Sequence, residues 1–301
     1  MSRRFAIVLV LSLVCLAAPA WADYGAGEAA YHRGDYATAF RELTPLAENG
    51  DPSSEYFLGL MYVKGEGVPQ DFKQAEYWLF LAAEQGHAQA QDNLGAMYAN
   101  GLGLPVDFKE AVRWYRLAAE QGEARAQNNL GLMYAKGKGV PRDFKEAVRW
   151  YRLAAEQGEA KAQFNLGVMY AKGQGVPKNF KNALQWYHLA AMQGDAHAQH
   201  NLGLMYAKGE GVSRDFKEAV RWYRLAAEQG EARDQGNLGL MYAKGKGVLQ
   251  DYVLAHMWFN LAAEQGEKVA SDLRDSLAKK MTPAQIAEAQ KLASEWKPRD
   301  K

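Results

Sequence analysis

The stretch EARAQNNLGLMYAKGKGVPRDFKEAVRWYRLAAEQG, residues 123–158 of a 301-residue chain, decides the fold. Ala124, Gln127, Leu130, Gly131 and Tyr134 follow the three-and-four spacing of one helical face, which predicts a helix, A, from Glu123 to about Lys136. Gly137 and Gly139 stop it, and Pro141 discourages helical geometry at Val140, which is expected to plug the joint. Asp143 is placed to cap a second helix, B, with Glu146 in the reciprocal position three residues on. Helix B carries Phe144, Ala147, Tyr151, Leu153 and Ala154, and Gly158 ends it. Gly131 stands inside helix A, where glycine costs about 1 kcal/mol relative to alanine. Such a cost is tolerated where another helix comes too close for a side chain.

Outward from this stretch the same pattern repeats. Gly50, Gly86, Gly122, Gly158, Gly194, Gly230 and Gly266 recur every 36 residues. Leu-Gly-x-Met-Tyr keeps the same step from Leu58, Leu94, Leu130, Leu166, Leu202 and Leu238, as does a tryptophan at 78, 114, 150, 186, 222 and 258. The tryptophans and the motif methionines are expected to be core, filling the gaps between helices packed on alanine and glycine. Six full units occupy residues 51–266. Asp35, Tyr36 and Ala39 match Asp71, Phe72 and Ala75 one period later, so residues 23–50 read as a partial unit. Residues 267–301 read as a helical cap and tail, with Thr282-Pro283 starting a last helix whose Ala287, Leu292 and Trp296 would cover the end of the stack.

These residues carry a resemblance. Alanine, leucine-glycine and tyrosine in helix A, then phenylalanine or tyrosine, alanine, tryptophan and paired alanines in helix B, resemble the Sel1-like repeat, a tetratricopeptide-like unit with a longer turn. The likeness covers residues 51–266 closely and residues 24–50 as a shorter unit. It implies an all-α fold, a right-handed α/α solenoid in which helix A lines a concave face. It also implies an adaptor role, since members of the family share the scaffold and differ in what they contact.

The first 22 residues are read apart from the fold. Arg3 and Arg4, the apolar stretch from Phe5 to Ala18, Pro19 and the small residues of Ala20-Trp21-Ala22 form a secretory signal with cleavage expected before Asp23. The exported chain is then expected in the periplasm or outside the cell, with no stable membrane span. Removing two arginines from the 36 basic residues leaves 34 against 35 acidic ones, a net charge near −1 that argues against a nucleic-acid binder. The single cysteine, Cys15, lies in the removed segment, so thiol nucleophiles and cysteine-bound zinc are excluded from the rest. No Gly-x-Ser-x-Gly elbow or nucleotide-binding glycine loop in a strand–helix setting is present, and no cofactor is expected.

Function is therefore sought on helix A. The family's ligand-facing positions fall on two rows: Tyr56, Asp92, Asn128, Phe164, His200 and Gly236, and beside it Ser53, Gln89, Arg125, Lys161, His197 and Arg233. The first row holds six different residues in a chain whose framework scarcely changes, which points to recognition of one extended or helical partner, an envelope or secreted protein or peptide. Phe164 is the expected anchor, with Tyr56, His200, Arg125 and Lys161 giving direction around it and Asp92, Asn128, His197 and Arg233 as further candidate partner-binding residues. A lysine row at 64, 136, 172, 208 and 244 could steer an acidic chain or a cell-wall glycan, or simply meet the helix dipole. His197 and His200, three residues apart, could share a metal, but no third ligand stands at a convincing spacing. The other reading, a wall-active enzyme or penicillin-binding protein, comes from exported relatives alone, and their paired repeat cysteines are absent here.

Overall fold

A computed structural model describes residues 22–298, so nearly all of the segment read from the sequence as a signal, and its expected cleavage, lie outside the described residues, as do residues 299–301. Among the described residues there are sixteen helices and no strand. They divide into two compact units, one ending at Ala126 and including Lys138–Val140, the other formed by Gln127–Gly137 and the chain from Pro141 onward.

The first unit contains α1 (Tyr24–His32), α2 (Tyr36–Glu48), α3 (Pro52–Lys64), α4 (Phe72–Glu84), α5 (Ala88–Asn100) and α6 (Phe108–Glu120), each packed on the next. The second takes in α7 (Ala124–Lys136) from Gln127, then α8 (Phe144–Glu156), α9 (Ala160–Lys172), α10 (Phe180–Met192), α11 (Ala196–Lys208), α12 (Phe216–Glu228), α13 (Ala232–Lys244) and α14 (Tyr252–Glu264). From α8 onward these also pack in chain order. Odd-numbered helices from α3 to α13 are the A helices, and even-numbered ones from α4 to α14 the B helices.

The local reasons are those of the quoted stretch, with one difference. Asp143 accepts from the backbone N–H groups of Lys145 and Glu146, so helix B is capped as expected. Glu146 does not reach back to close a reciprocal pair; it turns along the helix to Arg149, 3.3 Å away, where it gains an ion pair in place of a bond to the cap residue's backbone. Gly131 does sit at a close crossing: a Cβ built there would lie 2.8 Å from Tyr151 Cδ1 and 3.2 Å from the Ala147 carbonyl oxygen, both on α8. The second glycine of each long turn has its own constraint. Gly211, at φ 72°, lies against the Phe180 carbonyl at the start of the preceding B helix, where a Cβ would be 2.6 Å from that oxygen.

Trp114, Trp150, Trp222 and Trp258 are buried, whereas Trp78 and Trp186 are half-buried. The motif methionines are buried throughout. At the carboxy-terminal end, α15 (Lys268–Ala278) and α16 (Pro283–Glu295) both pack on α14. Thr282 and Gln285 form a capping box at the start of α16. The covering stripe is Ala289, Leu292, Ala293 and Trp296, and Trp296 meets Trp258 edge-on at 5.9 Å. Ala287, expected in that stripe, is exposed, because the buried face of α16 is set by the four-residue step from Ala289 to Ala293.

Candidate functional site

The two helix A rows part company in three dimensions. The first row does not stand free; most of its members meet a residue of the next repeat. Tyr56 stacks on His87, ring centroids 4.6 Å apart and planes 25° apart. Burial raises the Tyr56 phenol and lowers the His87 imidazole, so both rings are neutral at pH 7. Asp92 Oδ2 lies 3.4 Å from Arg125. Asn165 donates to Asn128 Oδ1 at 2.9 Å. Phe164 lies 5.9 Å from the His197 ring. His200 Nδ1 lies 2.8 Å from Asp234 Oδ1.

Each junction is thus closed by a different pair. That pairing corrects the reading of the row as a free recognition surface. Asp92 is 1 % exposed and Asn128 6 %, so neither is presented to a partner. Phe164 is half-buried against Tyr187 and His197 and not the open aromatic that the sequence suggests. The physical reason is burial: polar groups placed between packed helices are held where they find partners. Gly236 alone supplies no side chain, and the hollow beside it, of about 260 Å³, is bounded by Leu240, Val269, Ala270 and Leu273.

A second polar ladder runs behind these pairs and was missed in the sequence. The glutamine that follows each B helix donates to a glutamine of its own A helix: Gln121 to Gln91, Gln157 to Gln127, Gln193 to Gln163, Gln229 to Gln199 and Gln265 to Gln235. Gln91, Gln163, Gln199 and Gln235 in turn donate to a carbonyl of the preceding B helix. In the first repeat Glu55 stands at this position and accepts from Gln85 at 2.8 Å. Burial pushes its carboxyl up to about 7. The constant spacing of 30 residues between the glutamines was the available signal.

The second row stays at the surface. Arg125, Lys161, His197 and Arg233 are exposed. Within the second unit these side chains border two clefts. Lys161 lines one of about 600 Å³ together with Glu159, Asp195, Leu225 and Glu228. His197 and Arg233 line another of about 430 Å³, whose wall also holds His200 and Asp234. The buried Asp234 orients the His200 ring through Nδ1. Among the described residues no group of three or more histidine, cysteine, aspartate or glutamate side chains is placed to hold a metal ion. No described helix is long and apolar enough to cross a membrane.

A sequence model of the Sel1 repeat matches residues 52–87, 88–123, 124–159, 160–195, 196–231 and 233–267. None of the curated proteins compared matches the chain. Among solved structures, the chain is similar to a Sel1 repeat protein from Oxalobacter formigenes, at 35 % identity over 78 % of this chain and 94 % of that one, with a TM-score of 0.72. It is also similar to a protective antigen of uropathogenic Escherichia coli strains displaying an SLR fold, at 30 % identity over 91 % of this chain and 75 % of that one, with a TM-score of 0.40. A third similarity is to the immunity protein Pa5087 of Pseudomonas aeruginosa, at 21 % identity over 71 % of this chain and 81 % of that one, with a TM-score of 0.45. The last two superpose too loosely to carry an argument about this chain.

Proposed function

The chain belongs to the Sel1 repeat family, and from that premise we propose that it is a protein-binding scaffold of the cell envelope or the secreted fraction, with no chemistry of its own. The observation that carries this reading is the contrast between the two rows. One is consumed by contacts between repeats, whereas Arg125, Lys161, His197 and Arg233 stay exposed in four successive repeats. Lys161 and Arg233 stand beside clefts that also hold Glu159, Asp195 and Glu228, and Glu231 and Glu267, and such mixed charge suits a protein segment that carries both signs. The signal-like residues at the amino terminus support the reading that this partner lies outside the cytoplasm.

The test is capture from envelope extract with the exported chain, against a variant carrying Lys161→Glu and Arg233→Glu, which leaves the Arg125–Asp92 pair in place. The expected result is loss of one defined partner, with unchanged helical content and melting. Its binding should weaken as salt is raised. Equal capture by both proteins would refute the assignment of this row. Intact-mass measurement of the exported protein is expected to show a start at Asp23, and a retained signal segment would remove the argument for an envelope partner.

A further inference from the structure

The residue just before each A helix is an acid in five of the six repeats: Asp51, Glu123, Glu159, Asp195 and Glu231. In the second repeat it is His87. Where an aspartate caps from this position, its carboxylate accepts from the backbone N–H three residues on, that of Ser54 at 2.7 Å and that of Ala198 at 2.7 Å. His87 caps α5 with its ring: Nδ1 accepts from the Ala90 N–H at 3.3 Å.

A backbone N–H only donates, so Nδ1 carries a lone pair and the ring is neutral, with its proton on Nε2. Ala90 is 0 % exposed. Water therefore cannot take the place of Nδ1 while the turn is closed, and a buried donor left without an acceptor is costly. The same ring stacks on Tyr56 of α3, so the group that caps α5 also joins the second repeat to the first. The charged groups that act on the ring are Asp51, before α3, and Glu123, before α7; α4 and α6, which pack on α5, contribute none. Burial holds the imidazole below its ordinary value, and the two acids oppose that without cancelling it.

We propose that His87 is an acid-operated latch between the first and second repeats: a proton on Nδ1 sets a donor against the buried Ala90 N–H, the first turn of α5 opens, and the ring leaves Tyr56 for Asp51 or Glu123. The open turn takes up the proton more readily than the closed one. The closed form therefore loses stability as pH falls below 6.5, and the loss levels off once the closed form is protonated as well. Aspartate as a residue type changes charge only near pH 4, so the capped turns at Asp51 and Asp195 have no such step in this range. Glu55 titrates close by with the opposite sign, because its protonated form is the one the fold keeps. Melting of the whole chain mixes the two effects, so the latch must be read locally. It is separate from the exposed row at Arg125, Lys161, His197 and Arg233, and its test needs no partner.

The experiment is amide hydrogen exchange of the exported chain, with protection factors compared at about pH 7 and about pH 5, beside the variants His87→Asn and His87→Asp. Asparagine caps through an oxygen that does not titrate in this range, and aspartate restores the residue type of the capped neighbours. The expected result for the parent is a loss of protection of about five-fold at Ala90 and Gln91 on acidification, the factor that goes with one lost cap. Neither variant should show it, and the start of α11, capped by Asp195, should keep its protection throughout. Melting at neutral pH shows that the variants fold, and either one suffices for the comparison. Parent protection that does not change with pH overturns the proposal. A loss as large in the variants overturns it too, because the turn then opens for another reason.

Discussion

Replacing Gly131 with alanine adds one methyl group at a close crossing between α7 and α8. Two effects oppose each other. Alanine is favoured over glycine in a helix by about 1 kcal/mol. Against that, the new Cβ would lie 2.8 and 2.9 Å from Cδ1 and Cε1 of Tyr151 and 3.2 Å from the Ala147 carbonyl oxygen. Carbon atoms in contact prefer about 3.5–4.0 Å, so the helices must part by roughly 0.7 Å, and a gap of that order forfeits a quarter or more of each contact along the crossing. Tyr151 is buried, so its ring moves only by displacing its neighbours. Overpacking of this kind costs about 1–3 kcal/mol, so the net expectation is a loss of about 1 kcal/mol, rising to about 2 if the ring cannot tilt. Gly236→Ala is the matched control. It also lies inside an A helix, but its Cβ would meet only Ala270 Cβ, at 3.9 Å, and the helix preference then acts alone, a gain of up to about 1 kcal/mol. Urea unfolding followed by circular dichroism measures both, with the m-value checked for constancy. A Gly131→Ala chain as stable as the parent, or a Gly236→Ala chain less stable, would refute the reasoning.

Glu55 carries a pH dependence. Its carboxyl is held at about 7 by burial, with Asp51 adding to the rise and Gln85 opposing it. The folded chain therefore keeps a proton that the unfolded chain releases from about pH 4.5 upward, and stability falls as pH rises through about 7. Glu55→Gln, which restores the residue of the other five repeats, is expected to raise melting above neutrality and flatten the profile; an unchanged profile would count against it. For the His200–Asp234 pair the two deletions should differ. His200→Ala leaves a buried carboxylate without its main partner and is expected to cost about 1–3 kcal/mol. Asp234→Ala puts in the residue found at Ala90, Ala126, Ala162 and Ala198 and should cost clearly less. Equal losses in thermal unfolding would contradict that account.

The fold was legible because its determinants are local and repeated. Asp143, Gly131, Gly158 and Trp150 act through contacts within one or two neighbouring helices, and six copies average out the accidents of any one. The functional rows were less legible. Variation at Asp92, Asn128 and His200 looks the same on paper whether the side chain faces a ligand or the next repeat. Only three-dimensional placement shows that Asp92 reaches Arg125 and His200 reaches Asp234. A clue did exist in the second case, since Asp234 interrupts a run of small residues at a buried position. Glu55 in the glutamine ladder is a clue of the same sort, but it acquires meaning only once Gln85 is seen to donate to it.

The pairs that close the junctions also decide how far repeats can be exchanged or lost. If residues 160–195 were excised, Asn128 would face the repeat that begins at Ala196, where Asn201 stands one period after Asn165, and the amide pair could re-form. If residues 196–231 were excised instead, Phe164 would face Asp234, and a buried carboxylate would lose its imidazole. Two deletions of identical length, each in perfect register, would therefore leave very different proteins. Growth and shrinkage of such an array by whole-unit recombination is permitted at some boundaries and barred at others.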